Sequence, residues 1–153
     1  MLLNGFNHVA ILTSDSDRLH DFYVSVFEAK ISRDQTGGPH PDARLSLIDI
    51  GPHHELNVFE IAGNDEATRQ TPMFGRGRID HIGLMADSVA AFREIRSRLM
   101  ARGATDGFVT NLGRILSVFF TDPDGLECEV CVPNPDYVPG QHFGPGNPAE
   151  GFD

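Results

Sequence analysis

Four side chains of this sequence could hold a divalent cation if the fold brought them together: His8, Glu60, His81 and Glu129. Two neutral imidazoles and two carboxylates neutralise such an ion, and the set suits zinc, nickel, iron or manganese. The candidates come from a repeat. Phe6-Asn7-His8-Val9-Ala10 returns as Ile79-Asp80-His81-Ile82-Gly83 after a step of 73 residues. Glu60 follows His8 by 52 residues and Glu129 follows His81 by 48. Strand alternation sets residues two apart on one face, so an inward His8 brings Phe6, Ala10 and Leu12 with it. An inward His81 brings Ile79, Gly83 and Met85 by the same rule. A carboxylate turned into the concave side of a sheet is costly unless it is paired or bound to a cation. That cost points to Glu60 and Glu129 as ligands, with Glu127 and Cys131 as further candidates on the face of Glu129.

The elements that must position these groups repeat as well. Leu19, Phe22, Tyr23, Val26 and Phe27 fall on one helical face over about residues 15–29. Val89, Phe92, Ile95 and Leu99 do the same in the second half, where Gly103 supplies a stop. Ser14 and Asp87, again 73 apart, are the expected N-caps. Strands are expected at 6–12, 29–33, 43–50 and 55–61, then at 79–85, weakly at 105–110, and at 114–121 and 126–132. Gly51-Pro52 and the stretch Asp122-Pro123-Asp124-Gly125 read as turns. Each half is therefore strand-helix-strand-strand-strand. The expected organisation is a single domain over 1–132, with module one at 5–62, a polar linker at 63–78 and module two at 79–132. A Pro/Gly-rich arm follows at 133–153. It is either a loose tail or, on the strength of Tyr137, Phe143 and Phe152, a strap packed on the body or on a partner.

The net charge of −10 argues against nucleic acid and against an anionic membrane surface as partners. No stretch approaches the roughly 18 apolar residues of a membrane span, and residues 1–4 do not open a secretory signal. Two cysteines, Cys128 and Cys131, are too few for a disulfide framework, so a cytoplasmic protein is expected. A separation of three along a strand sends those two thiols to opposite faces, which argues against a redox or zinc pair and for two structural cysteines. Tyr23 reads as core, and His20, His40 and His142 as surface residues.

The leading strand with His8, the Phe22-Tyr23 pair, His81, and Asp122-Pro123-Asp124-Gly125 followed by Glu129 together resemble the vicinal-oxygen-chelate superfamily. That superfamily holds glyoxalase I, extradiol ring-cleaving dioxygenases, methylmalonyl-CoA epimerase, and fosfomycin and bleomycin resistance proteins. The resemblance covers about residues 6–132. It implies an α+β fold of two βαβββ modules in tandem, a curved mixed sheet around a divalent metal, and a small substrate with two adjacent oxygens. In the extradiol branch, the preferred reading, Fe(II) is held by His8, His81 and Glu129 with positions open for catechol and O₂. His53-His54-Glu55-Leu56 is similar to the His-His-x-Leu segment of that branch, which implies proton handling by His54. In the glyoxalase I branch all four residues bind metal and a metal-bound glutamate, here Glu60, is the base. A third reading is a non-catalytic binding or resistance protein, against which the presence of metal ligands counts. Arg114 is a candidate contact for a substrate carboxylate, and a homodimer is expected because exposed sheet edges and the arm invite pairing.

Overall fold

The computed structural model describes residues 2–3, 5–37, 41–75, 77–140, 144 and 146–152. His40, His142 and Phe143 lie outside the described residues. The expected tandem is present, as two four-stranded mixed sheets that each carry one helix. The chain divides into two compact units, residues 1–70 with 123–125, and residues 71–122 with 126–153.

In the first unit β1 (His8–Thr13), α1 (Ser16–Phe27), β2 (Lys30–Thr36), β3 (Ala43–Gly51) and β4 (His54–Ile61) follow in order. The sheet order is β1-β4-β3-β2, with β1 parallel to β4 and the other pairs antiparallel. Parallel pairing needs a crossover, and the hairpins β2–β3 and β3–β4 do not. Asp15, one residue after the expected cap, accepts the Arg18 amide and starts α1. Glu28 closes the helix at φ 56°, its amide reaching the Tyr23 and Val24 carbonyls. Leu19, Phe22, Tyr23 and Val26 are buried, as are Ile48, Leu56 and Val58 of the sheet. Each such side chain contributes on the order of 2 kcal/mol when fully buried.

The second unit repeats the plan with β5 (Ile82–Met85), α2 (Val89–Ala101), β6 (Val109–Asn111), β7 (Ile115–Thr121) and β8 (Glu127–Pro133). Its order is β5-β8-β7-β6, again with the first pair parallel. Ser88 caps α2, once more one residue beyond the expected cap, so the step of 73 between caps is kept. Phe92 and Leu99 of α2 are buried, as are Val118, Cys128, Val130 and Val132.

One reading left open by the sequence is decided inside the second unit. The arm packs: Phe152 is 7% exposed, its ring meets Phe92 edge-on at 5.6 Å, and the Arg93 guanidinium sits 4.1 Å above it. Asn147 and Ala149 exchange backbone bonds with Asn111 and Val109, which covers the free edge of β6. Of the Asp122-Pro123-Asp124-Gly125 turn, residues 123–125 belong to the first unit. Asp122 accepts the Leu126 amide, while Asp124 belongs to the first unit and accepts from Thr13 Oγ1, Ser14 and Arg18.

His20 departs from its expected surface position. It is half-buried on α1, 2.7 Å from Ser46 Oγ, and desolvation lowers its pKa despite the nearby Asp34 carboxylate. No described helix is long and apolar enough to cross a membrane.

Candidate metal centre

Pairing in each sheet decides which side chains share a face. In the second unit Gly83 stands opposite Glu129, and Glu129 opposite Phe119. His81, two residues before Gly83, Glu129, Phe119, Cys131 and Ser117 therefore lie on the face away from the Cys128, Val130 and Val132 core. The contacts agree with the register. His81 Nε2 is 3.5 Å from Glu129 Oε1, and the His81 ring meets Phe119 edge-on at 5.9 Å. Ser117 Oγ donates to the other carboxylate oxygen, Glu129 Oε2, at 2.5 Å. Gly83 makes room for this arrangement, since a Cβ there would lie 3.1 Å from Glu129 Oε1.

Both candidate histidines are oriented in the same way. Asp80 Oδ1 lies 2.8 Å from His81 Nδ1, and Asn7 Oδ1 lies 2.9 Å from His8 Nδ1. A carboxylate or amide oxygen can only accept, so Nδ1 donates in each case, and in the neutral imidazole Nε2 is then the nitrogen with the lone pair. That is the tautomer a metal-binding histidine needs, with its other nitrogen fixed by an acceptor.

In the first unit His8 stands opposite Glu55, Ala10 opposite Asn57 and Thr13 opposite Glu60. Glu60 is therefore five residues along the sheet from His8, roughly 16 Å, and on the opposite face. The structure does not bring this pair together. Glu60 shares the face of Leu56 and Val58, where its Oε2 accepts the Ser16 amide at 2.8 Å and lies 4.0 Å from Arg44 Nη1. A carboxylate there satisfies a free N–H and complements the positive end of α1. The place that Glu129 holds relative to His81 is taken in the first unit by Asn57, 49 residues after His8. Its Oδ1 is buried and has no hydrogen-bond partner among the described residues.

The remaining candidates are placed as follows. His54 starts β4 with the parity of Leu56, not of Glu55 and Asn57, and its Nδ1 is 2.6 Å from the Phe6 carbonyl. Arg114 is exposed just before β7, five residues from Phe119, the partner of Glu129. Cys131 is buried on the face of Glu129; desolvation, then the Glu129 charge, pushes its thiol pKa up to about 12. Glu127 is engaged by the Met73 amide at 2.9 Å. No group of three or more His, Cys, Asp or Glu side chains is positioned to hold a metal among the described residues. The His81–Glu129 pair sets an imidazole nitrogen and a carboxylate oxygen 3.5 Å apart within the second unit.

The profile of the Glyoxalase/Bleomycin resistance protein/Dioxygenase superfamily matches residues 5–130, and the chain belongs to that family. No curated protein matches the sequence significantly. A glyoxylase/bleomycin resistance protein/dioxygenase domain from Frankia sp. EAN1pec superposes with a TM-score of 0.70 at 19% identity, over 88% of this chain and 96% of that one. A lactoylglutathione lyase from Agrobacterium tumefaciens gives 0.59 at 20% identity, over 86% and 96%. The oxidase ChaP-H1 gives 0.59 at 17% identity, over 86% and 98%. At such identities these likenesses establish the fold; chemistry must be argued from the site.

Proposed function

We propose that the protein is a divalent-metal-dependent enzyme of the vicinal-oxygen-chelate type, an Fe(II) extradiol-type dioxygenase acting on a small catechol-like substrate. His8, His81 and Glu129 would hold the ion. The observation that supports this reading is the side of its sheet that Glu60 takes, opposite to the face of His8. With Glu60 turned to the N-terminus of α1 and Asn57 in the place equivalent to Glu129, the proposed donor set is two histidines and one carboxylate. That set leaves coordination positions for two substrate oxygens and O₂. Bound there, Fe(II) would supply Lewis acidity toward the substrate oxygens and redox chemistry with O₂.

The chain's own groups supply the rest. Asp80 and Asn7 keep the Nε2 atoms presented, and Ser117 holds one oxygen of Glu129 so that the other points at His81. Phe119 meets the His81 ring edge-on. Proton handling is not assigned to His54 in this reading, nor substrate contact to Arg114. A homodimer belongs to the proposal too: β1, β2 and β5 end their sheets, while the edge of β6 is covered by the arm.

A second reading, isomerisation of a hemithioacetal by a glyoxalase-like site, is favoured by Glu55, whose Cα stands opposite His8 on the same face. Anaerobic reconstitution with Fe(II), a panel of catechols and measurement of oxygen uptake separate the two. Oxygen consumption with a yellow ring-opened product supports the dioxygenase. Activity only with nickel or zinc, on the hemithioacetal of methylglyoxal and glutathione, would replace it with the second reading.

A further inference from the structure

Among the described residues, two other than glycine hold a positive φ, Glu28 at 56° and Phe74 at 65°. Left-handed backbone is costly under a bulky side chain and is the habit of Gly and Asn. Glu28 closes α1, so its conformation belongs to a helix end. Phe74 lies in the tight turn 72–75, closed by the Gly75 amide on the Pro72 carbonyl at 3.0 Å. The residue is 86% exposed. A large apolar ring in water and a strained backbone are two costs at one residue, and burial offsets neither. The conformation sets the Phe74 amide on Asp80 Oδ2 at 2.5 Å, a bond that a glycine or asparagine amide would make as well. At this exposure the packing of the described residues does not call for the ring.

The turn stands at the rim of the His81–Glu129 face. Asp80 takes the Phe74 amide on Oδ2 and lies against His81 Nδ1 with Oδ1, so one carboxylate separates Phe74 from the imidazole. The preceding amide, of Met73, donates to Glu127 Oε2 at 2.9 Å, and Glu127 shares the face of Glu129 on β8. Met85 and Phe119, exposed on that same face, add apolar surface beside the polar pair. All of these residues belong to the second unit. We infer that Phe74 is a specificity-determining residue: its ring packs against the flat apolar body of a small aromatic ligand whose polar end meets His81 and Glu129. Apolar walls around a few converging polar groups are the usual form of a small-molecule site. The inference deepens the functional reading above and rests on it only for the side of the second sheet on which the ligand lies. Strain kept at a contact residue lowers stability in return for binding.

The test compares the full wild-type chain with Phe74→Asn, Phe74→Gly and Phe74→Trp by thermal melting and by calorimetry with 4-nitrocatechol as the probe. Mn(II) is present throughout, so an ion requirement of the probe does not bear on the comparison. Phe74→Asn and Phe74→Gly keep the amide and accept the left-handed backbone. Each is expected to raise the melting temperature by about 2–4 °C and to weaken 4-nitrocatechol about tenfold. Phe74→Trp retains an aromatic face and is expected to bind within about threefold of wild type. The sequence has no tryptophan of its own, so the fluorescence of that variant should be quenched as the probe binds. A lower melting temperature in both Phe74→Asn and Phe74→Gly would make the ring a structural element and overturn the inference. Unchanged probe affinity in those two variants would also overturn it, while leaving the functional reading in place. A wild-type chain that does not bind 4-nitrocatechol would overturn the inference together with the catechol reading.

Discussion

The Asp80 carboxylate lies 2.8 Å from His81 Nδ1, fixing the imidazole so that Nε2 points toward Glu129. Acceptors in this position typically change metal affinity by about 10–100-fold. Asp80→Ala is therefore expected to weaken Zn(II) or Co(II) binding by that factor. Calorimetry on the folded variant checks this, with Asp80→Asn, which preserves an acceptor oxygen, recovering part of the loss.

The Asp124 side chain is 2% exposed and accepts from Thr13, Ser14 and Arg18, which ties the Asp-Pro-Asp-Gly turn to the start of α1. Asp124→Ala should lower stability by on the order of 3 kcal/mol, because several donors lose a charged acceptor at once. Arg18 is 46% exposed, so Arg18→Ala should cost under about 1 kcal/mol. Urea unfolding of the two variants measures the contrast.

His20 gives the fold a pH dependence of known sign. Its folded pKa is lowered by desolvation, so the folded state resists the proton that the unfolded chain accepts. Its contribution is fully present above the unfolded value of about 6.5 and is lost as pH falls through the folded pKa below it. Urea midpoints at pH 5 and pH 7.5 should differ in that direction, and His20→Gln should shrink the difference. An unchanged difference in His20→Gln would assign the effect elsewhere.

Cys131 should be a poor nucleophile in the folded protein. Burial and the Glu129 charge hold its thiol at about 12, so little thiolate exists at pH 8. Alkylation by iodoacetamide is expected to be slow for Cys131 under native conditions and fast in urea. Peptide mass mapping after timed quenching reads this out; rapid native labelling would mean the thiol is open to solvent.

Much of the fold was legible because the repeat constrains it twice. The step of 73 that relates His8 to His81 also relates the caps Asp15 and Ser88, and both were expected one residue early, so the error itself repeats. Helical spacing identified Leu19, Phe22, Tyr23 and Val26 as core, since a buried stripe leaves a period in the sequence. Glu60 was not legible. Its interval from His8 differs from Asn57's by three residues, and an odd shift along a strand exchanges the two faces. Composition can suggest a carboxylate near a site, but only register decides which face it takes. The arm was undecidable because Pro and Gly exclude ladders and helices without specifying a partner; Phe152 against Phe92 supplied it.

In the proposed function His8, His81 and Glu129, and not Glu60, would be the ligands of a divalent ion. Metal content after anaerobic Fe(II) loading and gel filtration tests it, on wild type, His8→Ala, His81→Ala, Glu129→Ala and Glu60→Gln. The account expects about one equivalent in wild type and in Glu60→Gln, and loss of the ion in the other three, as befits a site that needs all its donors. Retention of iron by His81→Ala and Glu129→Ala, or its loss in Glu60→Gln alone, would contradict it.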